Sequence, residues 1–217
     1  MLKRNDDLII LGISLITCAV LLHFYPESYV EIFGFITGLL CVIYIVRENV
    51  WNFPVGILNN LFFIILFYQV SLYADMALQV VYIILALIGS YAWMYGGSGK
   101  TRLHVTRISF EESIIVIGVI AVSTILLTIY LTSINDSYPF LDALTTCLSL
   151  AAQWLLNFKR LENWIIWMVA DIFYIWLYIQ KDLNLTAVLY VVFFSLCVIG
   201  IHKWYYTWQG DEMLHGR

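Results

Sequence analysis

A chain of 217 residues that is 62% apolar and only 12% charged cannot cover a soluble domain with polar surface. Its net charge of −4, and the lack of basic clusters interleaved with aromatics outside the apolar runs, exclude a nucleic-acid partner. Each apolar run approaches the roughly 20 residues that cross a bilayer as a helix, so the chain reads as an all-α polytopic membrane protein.

In chain order, MLKRNDD precedes an apolar run at 8–25. Lys3 and Arg4 resemble the start of a signal peptide, but Asp6, Asp7 and the lack of an A-x-A-like cleavage site favour a retained helix. Further helices are expected at 29–46, 52–70, 75–95, 112–132, 139–157, 163–180 and 185–206, which makes eight transmembrane helices. The stretches YPES, VREN, SLYAD, GGSGKTRLHVTR, TSINDSY, FKRLE and QKDLN separate them, and Pro54 and Pro139 fall at helix starts. With a cytoplasmic N-terminus, Lys3, Arg4, Arg47, Lys100, Arg102, Arg107, Lys159, Arg160, Lys203 and Arg217 all lie inside, and only Lys181 lies outside. Both termini are thus expected in the cytoplasm. Cys18, Cys41, Cys147 and Cys197 stand singly, without CxxC spacing, and His23, His104, His202 and His215 are isolated, so neither a metal site nor a cofactor is expected.

Sliding the chain against itself by 111 residues aligns 52–93 with 163–204 without a gap. Asn52/Asn163, Phe62/Phe173, Leu66/Leu177, Gln69/Gln180, Gly89/Gly200 and Trp93/Trp204 are identical pairs, and Asn60 falls opposite Asp171. The offset spans four helices, an even number, so the expected fold is two parallel three-helix repeats joined by a linker helix, plus an extra N-terminal helix. The divisions are 1–27 for the extra helix, 28–96 for the first repeat and 97–133 for the loop and linker helix. The second repeat then takes 134–208 and a cytoplasmic tail 209–217.

Ionisable groups at bilayer depth cost about 2.5–3.5 kcal/mol on insertion scales and normally face protein or water. Asp171 is such a group. At helical spacing it shares a face with Trp164, Trp167, Tyr174 and Tyr178, while Trp176 points the other way. The equivalent face of 52–70 carries Phe53, Gly56, Asn60, Phe63 and Phe67, with Asn59 beside it. The run 139–157 has a polar stripe of Asp142, Thr146, Ser149, Gln153 and Asn157, and 75–95 carries Asp75, Gln79, Tyr82 and Trp93. Tyr190 stands opposite Gln79 in the repeat.

Ordinary roles compete with a binding site. Trp51, Trp93, Trp204 and Trp208 suit the interfacial aromatic belt, and Asp75 and Asp142 suit helix caps. Asn59 and Ser149 are equally suited to interhelical hydrogen bonds, each contributing about 0.6 kcal/mol. Taken together, Trp164, Trp167, Asp171, Tyr174, Gln153, Asn157, Asn60, Asn59, Gln79, Tyr82 and Tyr190 are the expected substrate-binding residues. Aromatic faces beside one carboxylate suit a flat cationic heterocycle, and amides suit its hydroxyl or carboxamide groups. An embedded enzyme would need paired catalytic groups, and no GxGD, HExxH or G-x-S-x-G pattern occurs.

At WNFPVGILNN (51–60), LYADMALQ (72–79), QWLLNFKRLENWIIW with Asp171 (153–171) and LTAVLY (185–190), the chain resembles the Pnu family of bacterial vitamin transporters, nearest to its nicotinamide riboside carriers. The resemblance covers most of residues 28–208. It implies a SWEET-like fold of two parallel three-helix repeats about a linker, in the bacterial inner membrane. It further implies facilitated diffusion drawn inward by a cytoplasmic kinase that phosphorylates the substrate, and a homotrimer. Family members often end the fourth helix with Gly-Trp-Tyr-x-Trp, whereas this chain has Gly89-Ser90-Tyr91-Ala92-Trp93. That departure leaves thiamine as an alternative cargo, with neutral riboflavin a poorer match to Asp171.

Overall fold

The computed structural model describes residues 29–69, 73–180 and 184–215, so the helix expected at 8–25 lies outside the described residues. Those residues form seven α-helices and no strand: α1 Tyr29–Val46, α2 Asn52–Gln69, α3 Tyr73–Tyr95, α4 Phe110–Ser133, α5 Pro139–Asn157, α6 Asn163–Gln180 and α7 Asn184–His215. In lipid the backbone has no water to bond, and a helix satisfies its own amides and carbonyls. Among the described residues, three spans are long and apolar enough to cross a membrane: Met76–Tyr95 in α3, all of α4 and all of α5. The hydropathy of α6 is lowered by Asn163, Asp171 and Gln180 and by its tryptophans and tyrosines.

The helices form two compact units, one with α1–α3 and one with α4–α7. Within each, consecutive helices pack against each other. Helix α4 packs on α5 and lies in the second unit. Its entry is fixed by a capping box: Glu112 N–H donates to Ser109 Oγ at 3.1 Å, and Ser109 N–H donates to the Glu112 carboxylate at 2.8 Å. Most of α4 is exposed, with a mean hydropathy of 2.7. That is the expected surface of a helix in hydrocarbon, where there is no hydrophobic penalty for an outward Ile or Leu.

The turns α1–α2 and α5–α6 use the same bonds at corresponding positions. After α1, Glu48 adopts φ 50° and after α5, Lys159 adopts φ 48°. Glu48 N–H donates to Ile45 O and Asn49 N–H to Tyr44 O, each at 2.9 Å; Lys159 to Leu156 O and Arg160 to Leu155 O repeat both distances. This is the Schellman closure, which satisfies the last carbonyls of a helix, here with a non-glycine residue in the left-handed region. The first residue of the next helix then locks the turn: Asn52 Nδ2 donates to Asn49 O at 2.8 Å, and Asn163 Nδ2 to Arg160 O at 2.6 Å.

Aromatic pairs recur in the same register. In the first unit, Phe53 meets Trp93 edge-on, with centroids 5.1 Å apart at 84°; in the second, Trp164 meets Trp204 at 5.3 Å and 87°. Trp93, Trp164 and Trp204 are fully buried, so they are core residues in the structure rather than belt residues. The belt role expected for Trp93 and Trp204 is thereby corrected: each has a ring partner inside its own unit. Trp51, by contrast, is 64% exposed.

The last helix departs from expectation in length. Hydropathy ends it near 206, whereas α7 runs to His215. At about 1.5 Å per residue such a helix is far longer than the roughly 30 Å hydrocarbon core. Side chains from outside the helix meet its projecting end: His104 Nδ1 lies 2.9 Å from Asp211, and the Arg107 guanidinium stands 5.5 Å from the Trp208 ring centroid.

Candidate functional site

In the second unit, Ser149 and Asn157 of the expected α5 stripe and Asp171 of the expected α6 face are buried, together with Thr145 and Asn163, which the helical spacing did not single out. Asp142, Thr146 and Gln153 are half-buried. Ser149 Oγ and the Tyr174 hydroxyl share a hydrogen bond of 3.2 Å across the two helices. Gln153 Nε2 donates to Asn157 Oδ1 at 3.1 Å, one turn along α5. Two of the stripe's polar pairs are thus hydrogen-bonded, one across the helices and one within α5, as polar groups in a membrane interior favour.

Asp171 is 3% exposed, and Cys197 Sγ of α7 donates to its Oδ2 at 3.6 Å. Among the described residues no cationic side chain pairs with this carboxylate. In a low-dielectric site without a protein counter-ion, a carboxylate that ionises attracts a cationic ligand strongly, because Coulomb attraction there is little screened. Trp167, one turn before Asp171, is half-buried, while Trp176 is 51% exposed. The helix face inferred from spacing thus separates these two tryptophans as expected.

Beyond Asp171, three tyrosines form a contiguous aromatic surface. Tyr190 of α7 stacks on Tyr178 at 5.2 Å and 27°, and lies 4.5 Å from Tyr174 at 33°. Tyr174 and Tyr178 are 6.0 Å apart and nearly parallel, and Phe193 meets Tyr190 edge-on at 5.7 Å. A flat ring intercalates only where two aromatic faces stand about 7 Å apart, so Tyr174 and Tyr190 are closed on one another here.

Trp164, also expected on this face, is wedged between α6 and α7. A methyl group added at Gly200 would meet its ring atoms at 2.5–2.6 Å. Its indole Nε1 and the Asn163 Oδ1 beside it have no hydrogen-bond partner among the described residues.

In the first unit, Asn59 commits its amide to α1: Nδ2 donates to Gly34 O at 2.6 Å and to Thr37 Oγ1 at 2.7 Å. Asn60, opposite Asp171 in the register, is half-buried, as are Gln79 and Tyr82 of α3. Phe63, the counterpart of Tyr174, packs on Gly34, 3.0 Å from where a Cβ would stand.

Sequence reasoning passed over Cys197 and Phe193 of α7 as partners at this site, while it placed Tyr178 on the Asp171 face. The signal was spacing on α7: Tyr190, Phe193, Cys197 and Trp204 follow one another at intervals of three, four and seven residues, which keeps them on one face. Cys197, which stands singly in the sequence, is buried and has the Asp171 carboxylate as its partner.

A family model described as nicotinamide mononucleotide transporter matches residues 28–206. The chain is 24% identical over 206 residues to the nicotinamide riboside transporter PnuC of Escherichia coli K12, covering 83% of this chain and 86% of that protein. It is 25% identical over 209 residues to the nicotinamide riboside transporter PnuC of Neisseria mucosa, covering 91% of this chain and 78% of that one. The fold superposes on the crystal structure of the vitamin B3 transporter PnuC with a TM-score of 0.76 at 22% identity, over 94% of this chain and 92% of that chain.

Proposed function

Because the chain belongs to the nicotinamide mononucleotide transporter family, a family of carriers rather than enzymes, we propose that it moves nicotinamide riboside across the bacterial inner membrane by facilitated diffusion. The observation that carries this reading is Asp171: a buried carboxylate in α6 with no cationic partner among the described residues, one turn from Trp167. The pyridinium of nicotinamide riboside supplies the missing positive charge and a flat face for the indole. Gln153 and Asn157 present amide groups suited to its ribose hydroxyls and carboxamide. The relatives from E. coli and N. mucosa carry the same cargo by name.

Net uptake in this scheme needs no coupled ion. A cytoplasmic kinase that phosphorylates the riboside keeps its free concentration low inside, and diffusion through the carrier follows. The turns bearing Arg47, Lys159 and Arg160 face the cytoplasm in this proposal, as the positive-inside rule favours. The shared Schellman turns and the shared aromatic pairs support duplicated three-helix units.

A binding titration tests the reading. Nicotinamide riboside is expected to bind more tightly than thiamine, and riboflavin least, since only the first two carry a fixed positive charge. Trp167→Ala is expected to weaken nicotinamide riboside binding by about tenfold or more, and Trp176→Ala by less than about twofold. Equal losses in the two variants would place the ligand on another face of α6, and tightest binding of thiamine would change the cargo.

A further inference from the structure

The segment between α3 and α4 is tied down at almost every residue. Leu103 N–H donates to Trp93 O at the end of α3, within the first unit. From His104 onward the bonds are made inside the second unit. Thr106 forms a short parallel bridge with Arg160: its N–H donates to Lys159 O at 3.0 Å, and Leu161 N–H donates to Thr106 O at 2.9 Å. Arg160 reaches back across the same segment, with Nη1 donating to Thr106 Oγ1 at 3.2 Å and Arg107 O at 3.1 Å. Its Nη2 pairs with Glu112 at 3.2 Å, in the first turn of α4.

Glu162 closes the segment from the other side. One carboxylate oxygen accepts from Arg107 Nε at 3.1 Å and the other from Ile108 N–H at 3.0 Å. Its side chain is only 15% exposed. Arg107 also lies over Trp208, and His104 pairs with Asp211, so two residues of the projecting end of α7 join the same network.

An isolated exposed ion pair does little, but here the charges are multiply bonded to backbone groups, and one carboxylate is nearly buried. The arrangement also breaks the internal register. At the matching turn of the first unit, Asn49 stands where Arg160 stands and Trp51 where Glu162 stands. The turn backbone is common to both units, so neither residue is needed to build it. Arg160 and Glu162 are additions that serve the segment they hold.

We propose that residues 104–112 form a strap which, through Arg160, Glu162 and Asp211, fastens α4 and the end of α7 to the α5–α6 turn, so that α4–α7 turn over as one body during transport. The strap then acts on the rate of conformational exchange and leaves the ligand's affinity unchanged. This role rests on the transporter reading above.

The test uses the full chain in liposomes and in detergent. In Arg160→Gln, the amides of Thr106 and Leu161 are expected to exchange hydrogen for deuterium about tenfold faster than in the unmodified protein. Turnover of labelled nicotinamide riboside at saturating concentration is expected to fall about tenfold, with the dissociation constant held within about threefold. Arg160→Lys, which keeps the charge without the fork, is expected to lie between the two. Unchanged turnover despite faster amide exchange, or a loss of affinity that matches the loss of rate, would overturn the proposal. If Arg160→Gln does not fold, Glu162→Gln removes the other clasp and is judged by the same split. An unmodified chain that moves no cargo counts against the transporter reading instead, which separates that failure from failure of the strap.

Discussion

Replacing Asp171 by Asn is expected to raise the dissociation constant for nicotinamide riboside about ten- to a hundredfold, without lowering the melting temperature. The two effects share one cause. A charged hydrogen-bond or ion partner contributes about 1.5–3 kcal/mol where it is desolvated, which sets the size of the loss. The same carboxylate is costly in the empty protein, since it is buried with Cys197 as its hydrogen-bond donor. Asn is nearly isosteric and carries no charge, so the unliganded protein keeps its packing and loses that cost. Neutral riboflavin serves as the control, because its binding should respond little. A melting temperature that falls steeply in Asp171→Asn, with all ligands weakened alike, would make Asp171 a structural residue. Isothermal titration and thermal melting in detergent measure both arms.

The second large effect lies in the first turn of α6. Gly200→Ala puts a methyl group 2.5 Å from Trp164 Cη2, and the indole has nowhere to retreat because Trp204 meets it edge-on. Overpacking of this kind costs about 1–3 kcal/mol. Trp164→Ala removes the wedge itself and is expected to cost about 3–5 kcal/mol. The double variant should be no worse than Trp164→Ala alone, because the added methyl then occupies part of the cavity. Additive losses in that cycle would mean that the two residues do not touch in the membrane. A melt series on the four proteins decides it.

These two residues also show what was legible in sequence and what was not. The bounds of α1, α2, α5 and α6 follow from polar breaks at VREN, FKRLE and TSINDSY, because hydropathy reports the solvent on each side of a residue. The separation of Trp167 from Trp176 follows from helical geometry alone. What hydropathy does not report is the partner inside the protein. Trp204 has the composition of a belt residue and the position of a core residue, and only the tertiary structure tells the two apart. The same limit hid the extension of α7 to His215, where ring contacts and the His104–Asp211 pair engage residues too polar for lipid. Asn59 was balanced between ligand contact and interhelical bonding on sequence grounds, and its two bonds to Gly34 and Thr37 place its amide in packing.

The corresponding turns and ring pairs of the two units were legible for a different reason. A shift of the chain against itself compares positions that share an environment, so residues fixed by backbone geometry stand out. Asn52 and Asn163 bond the same carbonyl of the same turn, and Gly89 and Gly200 are both buried. Asn60 and Asp171 differ, and so do Asn49 and Arg160. Those differences fall where a ligand charge and a strap would make the two units unequal.

The central claim, carriage of nicotinamide riboside without coupled energy, is tested most directly by purified protein in sealed liposomes. With no ion gradient, labelled nicotinamide riboside is expected to enter until inside and outside concentrations are equal, more slowly with Asp171→Asn. Entry that proceeds beyond equality only under a proton or sodium gradient, or no entry above protein-free liposomes, would contradict it.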